Sequence, residues 1–478
     1  MYPGGRELRN YIKESSDPNL NEFIKNNFHL INQDDATPKS MMLVWKNRFV
    51  LALNKYRSEL VLGNRANLDI NLWKSLKLRD GVDNASILYQ WLYIAQEKKS
   101  EDANSFLQEK KEQIEQMETS TSQEVNALLD KLSIRLLRRF DNLSTKEMCV
   151  LKLSLSKIVD LVDDEMADVY KSVIPNRHFE EWMSLKRSKR LEEEEQSKIK
   201  TTVAEFVEKS KIDIKTARKY VLQKRLELED EDSLEARLFE MIDKIISLIK
   251  NSKSNYWQEA DFVAFIKTLL EIAFRGSSLS VVIGETVAHA TKPAIEYNES
   301  SYSNGMNSVF NSDSPSFVST STSKSGCVGR KIDLQIVSDN DQELSFWEFK
   351  NNDVDQELLW YQESKSLRLA QCLQKEVSSV LKHPQDILSL NWFGWSATMC
   401  YLTQQDGYAV AKKIDKITVP YDNRLISTSL EDLMLCIFEV KATLSALNDE
   451  IFIASNGRTK KRKSYDSMPH TLLSPKRQ

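Results

Sequence analysis

The chain has 478 residues, 41% of them hydrophobic and 28% charged, which is a globular composition and long enough for two to four domains. A formal net charge of -4 and a pI near 6.0 argue against a nucleic-acid-binding protein that is basic throughout, so any basic surface must be local. Five widely spaced cysteines, the lack of an apolar leader and the lack of a long apolar run argue against a disulfide framework, secretion and membrane insertion.

The first half of the chain is predicted to be helical. Residues 82–275 contain no glycine and a single proline, Pro175. Apolar residues recur at helical spacing within 87–95, 128–137 and 151–173. We therefore predict a helical region over residues 1–250, which is a candidate module for selecting a partner or a substrate.

A highly charged segment covers residues 186–200, where basic residues are followed by a run of glutamates. A solvent-exposed helix with ion pairs between successive turns explains this pattern. Contact between the basic residues and nucleic acid is the alternative, although the adjacent glutamates would weaken the local positive field.

The second half of the chain is predicted to be an α/β domain over residues 256–450. Residues 297–326 are rich in serine and asparagine and predict a flexible loop. After this loop, Ile332, Leu334 and Ile336 alternate with polar residues, and residues 344–350 form a second strand-like run. Turn-forming residues at 338–342 join the two runs, so the pattern predicts a β-hairpin.

Further elements are predicted to follow the hairpin. A helix is expected over residues 355–381, then strands near 390–402 and 408–414, and a final helix over 430–447. The aromatic residues near the first of these strands are Trp392, Phe393, Trp395 and Tyr401. A base-stacking surface is one interpretation of them, but a buried central strand explains them better.

Three residues of the hairpin carry the chemistry. Glu348 and Lys350 are two positions apart on one strand and therefore point to the same face, and Asp333 on the neighbouring strand can face them. Two carboxylates beside a lysine suit a Mg²⁺ or Mn²⁺ ion that activates water for phosphodiester hydrolysis. A Glu-x-Lys pattern alone is weak, but apolar residues on both faces of this strand predict burial, where the charges need partners or a ligand.

The arrangement of Asp333, fourteen intervening residues and then Glu348-Phe349-Lys350, between two helices, resembles the PD-(D/E)XK nuclease superfamily. The resemblance covers roughly 165 residues, in the C-terminal half only. It implies a mixed central sheet flanked by helices, with Asp333 and Glu348 as metal ligands and Lys350 assisting the attacking water. Ile332 stands before Asp333, where many members of the superfamily have proline.

The same resemblance suggests a further acidic ligand on the helix that opens the domain. Glu259 occupies a matching position, and Glu285 is a competing candidate. An ordinary explanation for Glu259 is that acidic residues stabilise the first turn of a helix through its dipole.

Members of the superfamily often use polar residues of the helix that follows the lysine. Gln362, Lys365 and Arg368 succeed one another at steps of three residues on this predicted helix and are candidates to contact substrate phosphate. A solvated helix face is the alternative, because apolar residues form a separate side of the same helix.

The C-terminal segment, residues 456–478, is predicted to be a disordered basic tail. Residues 458–478 contain seven basic residues and one acid. The cluster Lys460, Lys461, Arg462 and Lys463 resembles a nuclear localisation signal, which predicts recognition by the nuclear import machinery and a nuclear location. Nonspecific attraction to phosphate is compatible with this prediction.

The sequence thus predicts a metal-dependent nuclease with nucleic acid, DNA being favoured, as its substrate. A catalytically inactive member of the same fold that binds nucleic acid or protein is the alternative. A helical scaffold whose strand region only caps it is a third hypothesis, which requires that Asp333, Glu348 and Lys350 do not converge.

Overall fold

The structure is a computed structural model. It describes residues 5–24, 38–60, 63–66, 89, 122–184, 190–251, 257–298, 329–456 and 471–473. These residues belong to two compact units. The described residues up to 89 form the first unit, and those from 122 onward form the second.

The first unit is helical. It contains helices α1 (Gly5–Glu14) and α2 (Pro38–Tyr56), a helical turn at residues 20–24 and a short 3-10 helix (Gly63–Ala66). Its core is made of apolar side chains from these segments, namely Leu8, Ile12, Leu20, Phe23, Ile24, Trp45, Phe49, Leu53 and Ala66.

The second unit opens with a series of helices interrupted by one short strand. In chain order these are α3 (Val125–Leu137), α4 (Thr145–Leu155), β1 (Ile158–Leu161), α5 (Asp164–Lys171), α6 (Asn176–Ser184), α7 (Glu193–Ser210), α8 (Ile214–Glu227) and α9 (Leu234–Asn251). Several of these helices begin at residues whose side chains cap the first turn. Ser144, for example, caps α4 through a reciprocal pair of hydrogen bonds with Glu147.

The remaining elements are three helices and two groups of three strands, named here in chain order. They are α10 (Glu259–Phe274), β2 (Leu279–Ala288), β3 (Arg330–Ser338), β4 (Glu343–Lys350), α11 (Gln356–Leu381), β5 (Ile387–Phe393), β6 (Ser396–Gln405), β7 (Tyr408–Thr418) and α12 (Asn423–Asn456). Short 3-10 helices occur at Phe140–Asn142 and His289–Thr291. Among the residues described, none of the helices is long and apolar enough to cross a membrane.

The strands form one seven-stranded sheet in the order β1-β7-β6-β5-β4-β3-β2. The pairs β1/β7 and β4/β5 are parallel and the other neighbours are antiparallel, so the sheet is mixed. The prediction of an α/β architecture with a mixed sheet and flanking helices is therefore confirmed. Strand β1 was not expected from the sequence, and it places part of the helical first half in the same compact unit as the sheet.

The predicted hairpin is present as β3 and β4. Its turn is closed by a hydrogen bond from the Asp341 N–H to the Ser338 carbonyl, and Asp341 adopts a left-handed conformation with φ of 57°. Aspartate tolerates this conformation better than most residues, which explains a turn without glycine.

The region expected as one strand over residues 390–402 is two strands, β5 and β6. Gly394, with φ of +52°, lies in the tight turn between them and donates its N–H to the Lys350 carbonyl at 2.8 Å. A Cβ at this position would lie 1.5 Å from the Asn352 side chain, so both the backbone conformation and the available space require glycine.

Helices cover both faces of the sheet. On one face, Ser366 of α11 lies 3.0 Å from Ser389 of β5, hydroxyl to hydroxyl. On the other face, Cys436 of α12 contacts Met399 of β6 at 3.7 Å. Trp392, Trp395 and Tyr401, which the sequence left open as a base-stacking surface, are buried in this core. The face covered by α11 carries the candidate site.

Candidate functional site

Asp333 and Glu348 meet across the hairpin. Leu334 is paired with Trp347 in the antiparallel ladder, so one further step places Asp333 opposite Glu348 on the same face of the sheet. Asp333 Oδ2 accepts a hydrogen bond from the Phe349 N–H at 2.8 Å, which holds the aspartate side chain against β4. The hairpin register therefore brings the two predicted metal ligands together.

Glu348 is buried and only half paired. Its side chain is 2% exposed, Oε2 accepts a hydrogen bond from the Lys365 ammonium at 2.7 Å, and Oε1 has no partner among the described residues. Burial raises the pKa of Glu348 to about 7; the nearby Lys365 opposes this shift and the negative charge of Asp333 adds to it. A carboxyl with this pKa gains or loses its proton near neutral pH.

Lys350 lies at the end of β4 and contacts the helix that opens this part of the fold. Its ammonium donates to Glu259 Oε2 at 2.9 Å and to the Phe349 carbonyl at 2.6 Å. Glu259 is the first residue of α10, so the structure brings the predicted N-terminal acid to the predicted lysine. Glu285 lies in β2, and its side chain is outside the described part of the structure.

The residues predicted on α11 separate into two groups. Lys365 pairs with Glu348 of the hairpin, and the buried Gln362 amide donates to the Trp392 carbonyl of the neighbouring strand β5 at 3.4 Å. Arg368 requires a correction, because its buried guanidinium donates to the carbonyls of Ser364 and Leu472, each at 3.0 Å. One step of three residues turns the helix by about 60°, which is enough to direct Arg368 into the protein.

One polar residue of this face was missed by the sequence analysis. Asn391 of β5 is the cross-strand partner of Glu348, and both polar atoms of its amide are buried without a hydrogen-bond partner in the described structure. In the sequence, Ser389 and Asn391 alternate with Leu388, Leu390 and Trp392, and an asparagine inside such a strand was the available signal, since asparagine is depleted in strands.

The donor set fits a hard divalent cation. Among the described residues, no three Asp, Glu, His or Cys side chains are grouped so that they could hold a metal ion by themselves. Asp333 and Glu348 nevertheless supply two carboxylates, and the unpartnered Oε1 of Glu348 is a buried acceptor in need of a positive partner. If Mg²⁺ or Mn²⁺ binds, these two residues are the ones that would hold it.

We expect Mn²⁺ affinity to rise with pH up to about 7 and then to level off. The pKa of Glu348 is raised to about 7 by burial, and the protonated carboxyl cannot bind a cation, so each pH unit below this value should weaken binding by up to about tenfold. Mn²⁺ titrations between about pH 5.5 and 8.5 measure this profile.

Replacing Lys365 by Met provides the internal check on that profile. The Lys365 ammonium favours ionised Glu348, so its removal should move the midpoint of the profile to higher pH. An affinity that does not change with pH in the wild-type protein would show that Glu348 is not a ligand.

A second pair of carboxyls consists of Asp160 on β1 and Glu363 on α11. Asp160 is fully buried, and neither Asp160 Oδ2 nor Glu363 Oε1 has a hydrogen-bond donor among the described residues. Burial raises the pKa of Asp160 to about 6, against the effect of the Val162 N–H that donates to Oδ1. Burial and the charge of Asp160 raise the pKa of Glu363 as well, so the pair retains a proton near neutral pH.

Asp160→Asn should reduce the loss of stability that accompanies a rise in pH. Because the folded pKa of Asp160 is raised, its contribution is fully present below about pH 4 and is lost as pH rises through about 6. The amide cannot ionise but can still accept from Val162. Thermal melting at pH 5 and pH 8 should therefore differ by a few degrees less in the variant, whereas the exposed Asp164→Asn should behave as wild type. Identical pH dependence in both variants would contradict this assignment.

The remaining predicted features lie partly outside the described residues. The basic cluster at residues 460–463 is one of these, so the structure adds nothing to the predicted localisation signal. Cys149, Cys372, Cys400 and Cys436 are buried and free, and Cys327 is outside the described part.

Comparisons with protein-family models, curated proteins and solved structures found no match to this chain. Any assignment of function therefore depends on the geometry of the site itself.

Proposed function

We propose that the second unit is a divalent-metal-dependent nuclease resembling the PD-(D/E)XK superfamily, which hydrolyses phosphodiester bonds with DNA as the favoured substrate. The observation that carries the proposal is the convergence of Asp333 and Glu348 on one face of the hairpin, with Lys350 two strand positions beyond Glu348 and therefore on the same face. If the strand region only capped a helical scaffold, Asp333, Glu348, Lys350 and Lys365 would have no reason to lie together at one partly buried position.

The order of elements supports the proposal. Helix α10 carries Glu259, β3 and β4 carry the hairpin residues, and α11 returns over the same face to place Lys365 on Glu348. This is the order of helix, hairpin and helix that the sequence predicted around the Asp and Glu-x-Lys pattern.

Each side chain has a definable part in such a reaction. Asp333 and Glu348 would bind Mg²⁺ or Mn²⁺, which when bound supplies an activated water and polarises the phosphoryl oxygen. Lys350 places a positive charge at the end of β4, where it can stabilise the negative charge that develops on the phosphate. Glu259 fixes the position of that ammonium through their ion pair at 2.9 Å.

Lys365 would act on the substrate side, and Gln362 would lie beneath the site. Lys365 is about one third exposed although it is paired with a buried carboxylate, so its ammonium can reach solvent while it remains near Glu348. A phosphate that approaches from solvent would meet this charge first. Gln362 is buried, and its contact with the Trp392 carbonyl orients it beneath the site.

A catalytically inactive binding module is the second candidate. One observation favours it, since two of the three candidate acids already have cationic partners, Glu348 with Lys365 and Glu259 with Lys350. If these pairs persist in solution, the site has less negative charge to offer a cation. Binding of nucleic acid without cleavage would then be the function.

Incubation with labelled nucleic acids separates these candidates. Purified full-length protein is mixed with single- and double-stranded DNA and RNA in Mg²⁺, Mn²⁺ or EDTA. Cleavage that requires the metal supports the nuclease, and binding without cleavage under every condition supports the inactive module. The helical N-terminal region as a partner-selecting module and the nuclear location through residues 460–463 remain predictions.

A further inference from the structure

Asn391 presents an unsatisfied amide beside the candidate cation site. It lies on β5 in register with Glu348 of β4, so the two side chains share the face of the sheet that α11 covers. Both Oδ1 and Nδ2 of Asn391 are inaccessible to solvent and without a partner in the described structure. Two polar atoms in this state on one side chain are uncommon in folded proteins.

Nearby polar groups do not satisfy this amide. Lys365 donates to Glu348 Oε2, and the Gln362 amide donates to the Trp392 carbonyl, so each is committed elsewhere. Glu348 Oε1 is also unpartnered, which leaves three buried polar atoms on adjacent strands. Buried polar atoms that would cost stability without a ligand are typical of residues that bind one.

The chemistry of these atoms indicates the kind of ligand. Asp333, Glu348 and Asn391 lie on three adjacent strands, with Glu348 in the middle. Neighbouring strands are about 4.8 Å apart, so the three side chains can reach a common point above the central strand. Two carboxylates supply only part of the oxygen shell of Mg²⁺ or Mn²⁺, and an amide carbonyl is a suitable additional oxygen donor.

We propose that Asn391 is a third residue of this cation site and that its Oδ1 binds the cation or one of its coordinated waters. The Nδ2 group remains free to donate to an anionic oxygen of the substrate. This inference rests on the proposed function only for the cation site formed by Asp333 and Glu348. It does not require that the protein cleaves nucleic acid.

The test compares wild type with Asn391→Ala and Asn391→Asp in the full-length chain. Thermal melting is measured without metal and with Mn²⁺, and Mn²⁺ affinity is measured by calorimetric titration. Without metal, Asn391→Ala should melt at or above the wild-type temperature, because the substitution removes buried polar atoms that have no partner. With Mn²⁺, its affinity should be about 10- to 100-fold weaker.

Asn391→Asp and Asn340→Ala serve as controls. The aspartate restores an oxygen donor, so at alkaline pH it should recover Mn²⁺ binding and the associated stabilisation. Asn340 is an exposed residue in the β3–β4 turn, and its replacement should leave Mn²⁺ affinity unchanged.

The outcomes distinguish this inference from the proposed function. Equal Mn²⁺ affinity in wild type and Asn391→Ala would overturn the role of Asn391 while leaving the cation site intact. No Mn²⁺ binding by the wild type would overturn both. Binding that depends on Asn391, without cleavage of any nucleic acid, would support the inference and overturn only the nuclease.

Discussion

Asp333→Asn is expected to abolish metal-dependent cleavage while leaving the protein folded. The substitution removes one of the two carboxylate charges that would bind the cation. Mn²⁺ affinity should therefore fall by more than about 100-fold, which is more than the loss typical of replacing a residue that only supports a metal ligand. The structure indicates why the fold should survive. Asp333 Oδ2 accepts the Phe349 N–H, and the amide oxygen of asparagine can accept the same hydrogen bond.

The measurement combines a Mn²⁺ titration with cleavage of labelled DNA. Asp341→Asn is the matched control, since Asp341 lies in the turn of the same hairpin and asparagine tolerates its left-handed backbone. Thermal melting confirms that both variants are folded. Normal metal binding and cleavage by a folded Asp333→Asn protein would show that the carboxylate is not a ligand.

The sequence predicted the centre of this site because its residues are local. Asp333 and Glu348 belong to one hairpin, and the alternation of side chains along each strand determines which of them share a face. The same reasoning applied to α11 was only partly successful. Helical spacing showed that Lys365 and Arg368 are neighbours, but it could not show that the carbonyl of Leu472, a residue distant in sequence, accepts a hydrogen bond from Arg368.

The sequence analysis missed features that depend on contacts between residues distant in the chain. Strand β1 has four residues, directly after a helix, and it exists because β7 provides a parallel partner about 250 positions away. The lack of space for a side chain at Gly394, between β5 and β6, is due to Asn352, a contact that the local sequence does not show. Asn391 was not singled out from the sequence, and only the β4/β5 register shows that it lies beside Glu348.

Substitutions of Lys350 and Lys365 can separate stabilisation of the transition state from binding of the metal ion. Lys350→Ala should leave most of the Mn²⁺ affinity intact, because the lysine contacts Glu259 and a backbone carbonyl rather than the carboxylate of Asp333 or Glu348. Cleavage should slow by about 10²- to 10³-fold, the effect expected when one preorganised group that stabilises the transition state is removed. Single-turnover cleavage at saturating Mn²⁺ measures this step without interference from metal binding.

Lys267→Ala provides a control for the loss of an ion-paired lysine. Lys267 pairs with Glu271 at 3.4 Å on α10, the same helix that carries Glu259, so its removal tests whether any lysine–glutamate pair on this helix matters. Lys350→Arg keeps the positive charge and should retain more activity than Lys350→Ala, although the larger guanidinium will not reproduce the geometry of the ammonium.

Glu259→Gln should have a smaller effect than Lys350→Ala, since it loosens the position of the ammonium without removing it. If Lys350→Ala cleaves as fast as wild type while Lys365→Met does not, the ammonium that stabilises the transition state comes from α11 and the assignment of Lys350 is wrong.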